Sequence, residues 1–269
     1  IILSPSTNRR LPAWLIAASL VLALCLPALA GAHGKGHHGP APKVHKAHAH
    51  HSHGHGHPGY PGDHGRGKQV DVMTRNLYLG ADLGPAIAAT TPDALSAANG
   101  QILREVVHND FPTRAKGLAQ ELLAEQPDLV GLQEVARWQT TPLSAAATPV
   151  AYDYLPELLA ELNKNGPRYD VVVVQEEFDL EAPADYNGLP NDGPLPGFPN
   201  AEMLGRLTMR DVILARVNAG VTTSNPQSGH FSHLLVEDVA GTKVTITRGW
   251  TSVDTKVRGS RKLRFVDTH

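Results

Sequence analysis

The stretch that most constrains this chain's fold is residues 113–134, where a one-sided helix gives way to an apolar strand within three residues. Ala115, Leu118, Ala119, Leu122 and Leu123 recur at i, i+3, i+4, i+7 and i+8, so they line one face of a helix expected over Thr113–Glu125. Thr113 is the expected N-cap, and Pro127 ends the helix. Leu129-Val130-Gly131-Leu132 follows as a short buried strand and delivers Gln133-Glu134 at its carboxyl end.

Other elements alternate around this unit. Val70 to Thr74 alternates in polarity and reads as a strand that reaches Arg75-Asn76. Leu155, Leu158, Leu159 and Leu162 mark a second helix, stopped by Asn165-Gly166, and Tyr169 to Val174 is strongly β-prone. Residues 179–206 are rich in Pro, Gly, Asn and Asp and are expected to form a long surface loop. Three further strands are expected at Asp211–Val217, Thr242–Trp250 and Leu263–Thr268. Alternation in the first half and strands in the second favour an α/β layered sandwich over a doubly wound sheet.

The sandwich domain is expected over residues 69–269, preceded by two segments of different character. Residues 1–30 read as a secretory signal. Arg9-Arg10 precede the apolar run Leu11 to Leu26, and Ala28-Leu29-Ala30 fits a small-x-small cleavage site. The competing reading is a membrane-anchoring helix, for which the run is short and bracketed by Pro12 and Pro27. Residues 31–68 hold 11 of the 15 histidines, mixed with Gly, Pro, Ala and Lys, and cannot bury enough apolar surface to repay ordering. They are expected to be a disordered linker; a Zn, Ni or Cu binding role is the alternative. The protein is therefore expected to be secreted or periplasmic, with no stable membrane span after cleavage. Cys25 is the only cysteine, which excludes an intramolecular disulfide. The formal net charge of −2 argues against a protein that coats nucleic acid by bulk charge.

The chemistry gathers at strand ends. Asn76, Gln133-Glu134 and Asp267-Thr268-His269 each close an apolar strand, where a rigid support carries side chains to the rim of a sheet. A carboxylate and an amide oxygen are hard ligands suited to Mg²⁺, Mn²⁺ or Ca²⁺, and a histidine nearby handles a proton or a phosphoryl oxygen. Taken singly, each is more often a turn former or a solvated end.

Pro127-Asp128-Leu129-Val130-Gly131-Leu132-Gln133-Glu134-Val135 resembles the "P-D-hydrophobic-hydrophobic-x-L-Q-E" segment of the endonuclease/exonuclease/phosphatase superfamily. Its members include deoxyribonuclease I, the abasic-site exonucleases, bacterial sphingomyelinases and inositol-polyphosphate phosphatases. Val72-Met73-Thr74-Arg75-Asn76 is similar to its first strand, and Arg264-Phe265-Val266-Asp267-Thr268-His269 to its "F-V-N-T-H-L" strand. The three segments occur in the family order.

The resemblance implies a deoxyribonuclease I-like sandwich of two β-sheets flanked by helices. It implies a hydrolase acting on phosphate esters with a divalent metal, magnesium foremost and manganese or calcium as alternatives. Glu134 then matches the metal-binding carboxylate, Asn76 the amide of the same shell, and His269 a histidine that contacts phosphate or assists proton transfer. Arg210 is a candidate phosphate contact, with a surface arginine as the alternative. A second acidic contact is left open among Glu176, Glu177, Asp179 and Glu181. Glu134 is expected to matter far more to activity than to stability.

Departures accompany the likeness. Tyr78 stands where the abasic-site enzymes carry an acid, and Asp82 reads as a turn residue. The family's later Asp-x-Asn and Ser-Asp-His motifs are absent. Truncation explains this most simply, so the sandwich is expected to be incomplete and this stretch alone inactive and aggregation-prone. The expected substrate is a phosphate ester, nucleic acid or phospholipid. A nuclease or general phosphodiesterase ranks first, then a sphingomyelinase-like enzyme, then a non-catalytic metal binder acting through its histidines.

Overall fold

The computed structural model describes residues 70–257 and 262–269. The secretory signal and His-rich tract expected over residues 1–68 lie outside the described residues. Strands β1 (Val72–Asn76) and β2 (Leu129–Gln133) pair in parallel, as the intervening helices require. Those helices are α1 (Gly84–Ile87), α2 (Pro92–Asn109) and α3 (Phe111–Glu125). Helix α2 has its own start signal: Thr91 accepts a hydrogen bond from Ala94 N, Pro92 opens the first turn, and Asp93 faces the positive end. The cap expected at Thr113 is displaced. Helix α3 begins at Phe111, because Asp110, at φ 47, ends one helix and precedes the next.

β3 (Arg137–Pro142), β4 (Ala151–Asp153), α4 (Tyr154–Leu162), β5 (Tyr169–Ala184) and β6 (Met203–Arg216) follow. The first sheet runs β1-β2-β6-β3-β4, with β5 also paired to β6. The long loop expected over residues 179–206 is thereby corrected. β5 extends to Ala184 and β6 begins at Met203, leaving 185–202 as the connection. Cross-strand pairing holds these arms: Arg206 forms an ion pair with Asp179, and Thr208 Oγ1 donates to Asp179 Oδ1 at 2.8 Å.

β7 (Val221–His230), β10 (Gly249–Val257) and β11 (Lys262–Thr268) form a second sheet, ordered β11-β10-β7. β8 (Leu235–Val239) and β9 (Thr242–Ile246) make a hairpin. The single strand expected over Thr242–Trp250 is therefore two, β9 and the start of β10, broken at 247–248. The result is a mixed α/β sandwich of two sheets with helices packed on the first.

Alternation along β2 and β6 divides the interior. Val130, Leu132, Val212 and Leu214 join the helix-side core with Leu103, Val106, Phe111, Leu118, Leu122 and Leu158. Gly131 and Gln133 face the second sheet. An ideal Cβ on Gly131 would lie 2.3 Å from Asp267 Oδ1, so glycine is what lets β11 close onto β2. Among the described residues no helix is long and apolar enough to cross a membrane.

Candidate active site

Parallel pairing aligns Asn76 with Gln133, so β1 and β2 present their carboxyl ends side by side. Leu77 N donates to Gln133 O at 2.9 Å and extends the ladder one residue further. The next residue, Glu134, turns into the left-handed region at φ 54. A non-glycine residue there is costly and persists where its surroundings fix it. Val135 N donates to Arg210 O, Arg210 Nε to Val135 O at 2.9 Å, and Arg210 Nη2 to Ala136 O at 3.4 Å.

Those contacts revise the expectation for Arg210. Its guanidinium is buried and paired with Asp153 at 2.5 Å, and its Nε and Nη2 donate to backbone carbonyls. It secures the chain just after Glu134 and does not present its charge to a phosphate.

The structure brings Glu134, Asn76 and His269 together. Glu134 is only 2% exposed. Its Oε1 accepts from Asn76 Nδ2 at 2.8 Å and its Oε2 from Leu79 N at 2.7 Å. His269 Nε2 lies 3.5 Å from Glu134 Oε1 and 3.5 Å from Asn76 Nδ2. Glu134 is thus a buried carboxylate bonded to backbone, not a solvated rim group. Its two hydrogen bonds give it a share in stability beside its place in the site. Asp82 is a turn residue: its Oδ1 accepts from Gly84 N at 2.8 Å.

Four acids compete for the second position, and the structure separates them. Asp179 pairs with Arg206, Glu176 is exposed beside Arg137, and Glu181 is half-buried. Glu177 alone is fully buried, turned inward by a register shift between Glu176 and Phe178. An ideal Cβ on Gly249 would meet both Glu177 carboxylate oxygens at 2.9 Å, so β10 approaches this carboxylate through a bare backbone. His230 Nε2 is 3.9 Å from Glu177 Oε2.

A cluster of buried charge continues from there. Burial, then Glu177 and Asp267, push the Asp211 carboxyl up to about 8. Burial pushes Asp267 up to about 6, against the Gln133 amide, which donates to its Oδ1 at 2.6 Å. Burial also raises Glu177, opposed by His230 and Arg248. Arg248 lies in the field of Asp211, Glu177 and Glu134, and burial lowers its own pKa. Burial, then Arg248, lower His269, with Glu134 opposing, which favours the neutral imidazole. Arg248 and Asp211 carry no distinguishing mark in the sequence. Arg248 falls in the Thr-Arg-Gly break between β9 and β10, and that break is the only signal available.

The donor set fits a hard cation. Glu134 and Asn76 carry oxygens at the strand tips, each already accepting one hydrogen bond, and buried carboxylate oxygens of Glu177, Asp211 and Asp267 have no hydrogen-bond partner. Among the described residues no three His, Cys, Asp or Glu side chains form a ready ion cage. A magnesium-type ion does not require one, since it binds through one or two carboxylates and keeps water or substrate oxygens.

Searches with the sequence match no family model and no curated protein. The fold is similar to solved structures of the endonuclease/exonuclease/phosphatase group. One from Bacteroides vulgatus is 15% identical over 74% of this chain and 52% of that chain, with a TM-score of 0.35. A mannosyl-6-phosphatase from Bacteroides thetaiotaomicron VPI-5482 is 15% identical over 75% and 51%, TM-score 0.35. One from Beutenbergia cavernae DSM 12333 is 21% identical over 74% and 38%, TM-score 0.31. The chain spans about half the length of the first two and less of the third.

Proposed function

We propose that this domain belongs to a secreted, divalent-metal-dependent phosphoesterase, a nuclease or general phosphodiesterase that hydrolyses phosphate esters by in-line attack of water. The observation that carries this reading is the meeting of Glu134, Asn76 and His269 at one corner. Secretion rests on the Arg9-Arg10 pair, the apolar run and Ala28-Leu29-Ala30.

Glu134 and Asn76 would hold the cation, which when bound polarises a phosphoryl oxygen and stabilises the leaving alkoxide. Arg248 supplies positive charge inside a buried acidic cluster, where an anionic group is otherwise repelled. His269 is 3.5 Å from its neighbours, too loose for a committed hydrogen bond and able to engage a non-bridging oxygen. Arg210 keeps Glu134 aimed by fixing the two residues after it.

The test uses the full-length protein with bis(p-nitrophenyl) phosphate, plasmid DNA and sphingomyelin, each with Mg²⁺ and with EDTA. The proposal expects EDTA-sensitive hydrolysis of at least one substrate. Silence on all three, together with tight Ni²⁺ or Zn²⁺ uptake that is lost on deleting residues 31–68, would favour the metal-binding scaffold instead.

A further inference from the structure

Strand β6 stands between two buried carboxylates. Val212 of β6 pairs with Leu132 of β2 on one side and with Val174 of β5 on the other. The backbones of β2 and β5 are therefore two strand spacings apart, about 10 Å. Glu134, at the end of β2, turns toward β1, where Asn76 and Leu79 N bond its two oxygens. Glu177, on β5, meets Gly249 of β10. The facing histidines divide in the same way: His269 follows β11 and lies by Glu134, while His230 closes β7 and lies by Glu177, with β10 between those strands.

The two carboxylates also differ in what satisfies them. Glu177 is 3% exposed, and neither of its oxygens has a hydrogen-bond partner. His230 does not supply one: its Nε2 is 2.8 Å from Glu176 O and 2.9 Å from Gln175 Nε2, but 3.9 Å from Glu177 Oε2. Asp211, paired across the sheet with Gln175, is 1% exposed and leaves Oδ2 without a partner. Thr251 is fully buried, two residues along β10 from Gly249 and so on the same face, and its Oγ1 is unpartnered as well. Four buried oxygens are thus left without donors, two from Glu177 and one each from Asp211 and Thr251. Arg248 brings a single positive charge to Glu134, Asp211 and Glu177 together, so the acids outnumber it.

We propose that Glu177 and Asp211, with the Thr251 hydroxyl, hold a second hard divalent cation between β5, β6 and β10, separate from the ion at Glu134 and Asn76. Two carboxylates and a hydroxyl form an oxygen-only donor set, which suits a magnesium- or calcium-type ion and not the softer ions that imidazoles take. Buried oxygens without donors cost stability, and a cation meets all four at once. Water completes the coordination of such an ion, so a third acid is not required. Once bound, the ion ties the first sheet to the second beside the Glu134 corner. This site goes beyond the phosphoesterase reading and stands without it.

The experiment counts ions bound to the full-length protein by equilibrium dialysis against Mg²⁺ and, in parallel, Ca²⁺, hard ions that the histidines of residues 31–68 do not favour. Wild type, Glu177→Gln, Asp211→Asn and Glu134→Gln are compared, with thermal melts in EDTA to check folding. Glu177→Gln keeps the side chain's shape and removes a buried charge, so it is expected to melt no lower than wild type without metal. Wild type should bind two ions of at least one kind. Glu177→Gln should lose one of them, Asp211→Asn should weaken that same ion at least about tenfold, and Glu134→Gln should lose the other. A single ion that survives Glu177→Gln, or one lost in both Glu177→Gln and Glu134→Gln, would overturn the second site and leave the metal at Glu134 standing. A single ion lost in Glu177→Gln alone would support the second site and contradict the metal at Glu134. No ion bound by the folded wild type would overturn both.

Discussion

The two faces of strands β2 and β6 are equally buried and do opposite work. On the helix side, Val130, Leu132, Val212 and Leu214 are fully enclosed by apolar neighbours and need no partner. On the side of the second sheet, Gln133 donates to Asp267, Thr251 is the cross-strand partner of Asp267, and several polar atoms there lack any hydrogen bond. Unsatisfied buried oxygens cost stability, so one face stabilises the fold and the other spends part of that stability on a charged pocket.

The largest expected effect tests the apolar face. Leu132→Ala should cost about 3 kcal/mol in chemical unfolding through transfer and cavity terms, while the folded fraction keeps its metal and phosphate binding. Loss of binding with little loss of stability would erase the division between faces. Gly131→Ala tests the contact between the sheets. Its Cβ would collide with Asp267, so a cost of about 2 kcal/mol is expected, together with weakened phosphate binding as β11 and its terminal His269 shift.

The smallest effect concerns pH. With its folded value near 8 and an ordinary value of 3.8, Asp211 keeps a proton that the unfolded chain gives up. Its contribution is fully present below about pH 4 and is lost as pH rises through about 8. Asp211→Asn keeps the neutral form at every pH. Without added metal it should stabilise the protein by about 1 kcal/mol at pH 8.5, a Tm rise of about 2–4 °C, and leave pH 4 unchanged. A thermal scan showing equal shifts at both pH values would mean that this carboxyl is not held neutral by its surroundings.

Strand ends were legible because apolar runs close on polar residues within the local sequence. Asn76, Glu134 and His269 followed from that pattern and from the family wording, and the structure brings them to one corner. What escaped the sequence is non-local. Glu177 differs from Glu176 only by a bulge whose partner is more than 30 residues away. Arg210 looks like a surface charge until Asp153 and the carbonyls of Val135 and Ala136 surround it. The extensions of β5 and β6 were hidden by Pro183 and by acids such as Asp179 and Glu181, whose pairing across the hairpin supplies what local propensity lacks. Helix α2 was readable from Thr91-Pro92-Asp93.

The decisive measurement is Glu134→Gln in the full-length protein, read as Mg²⁺-dependent hydrolysis of a phosphodiester beside a thermal melt. Turnover should fall about 100-fold or more, since even an outer partner of a metal ligand is worth 10–100-fold. Stability should fall by only about 1 kcal/mol, because glutamine keeps one oxygen acceptor for its two hydrogen-bond donors. Unchanged turnover and magnesium dependence in a folded variant would contradict the account at its centre.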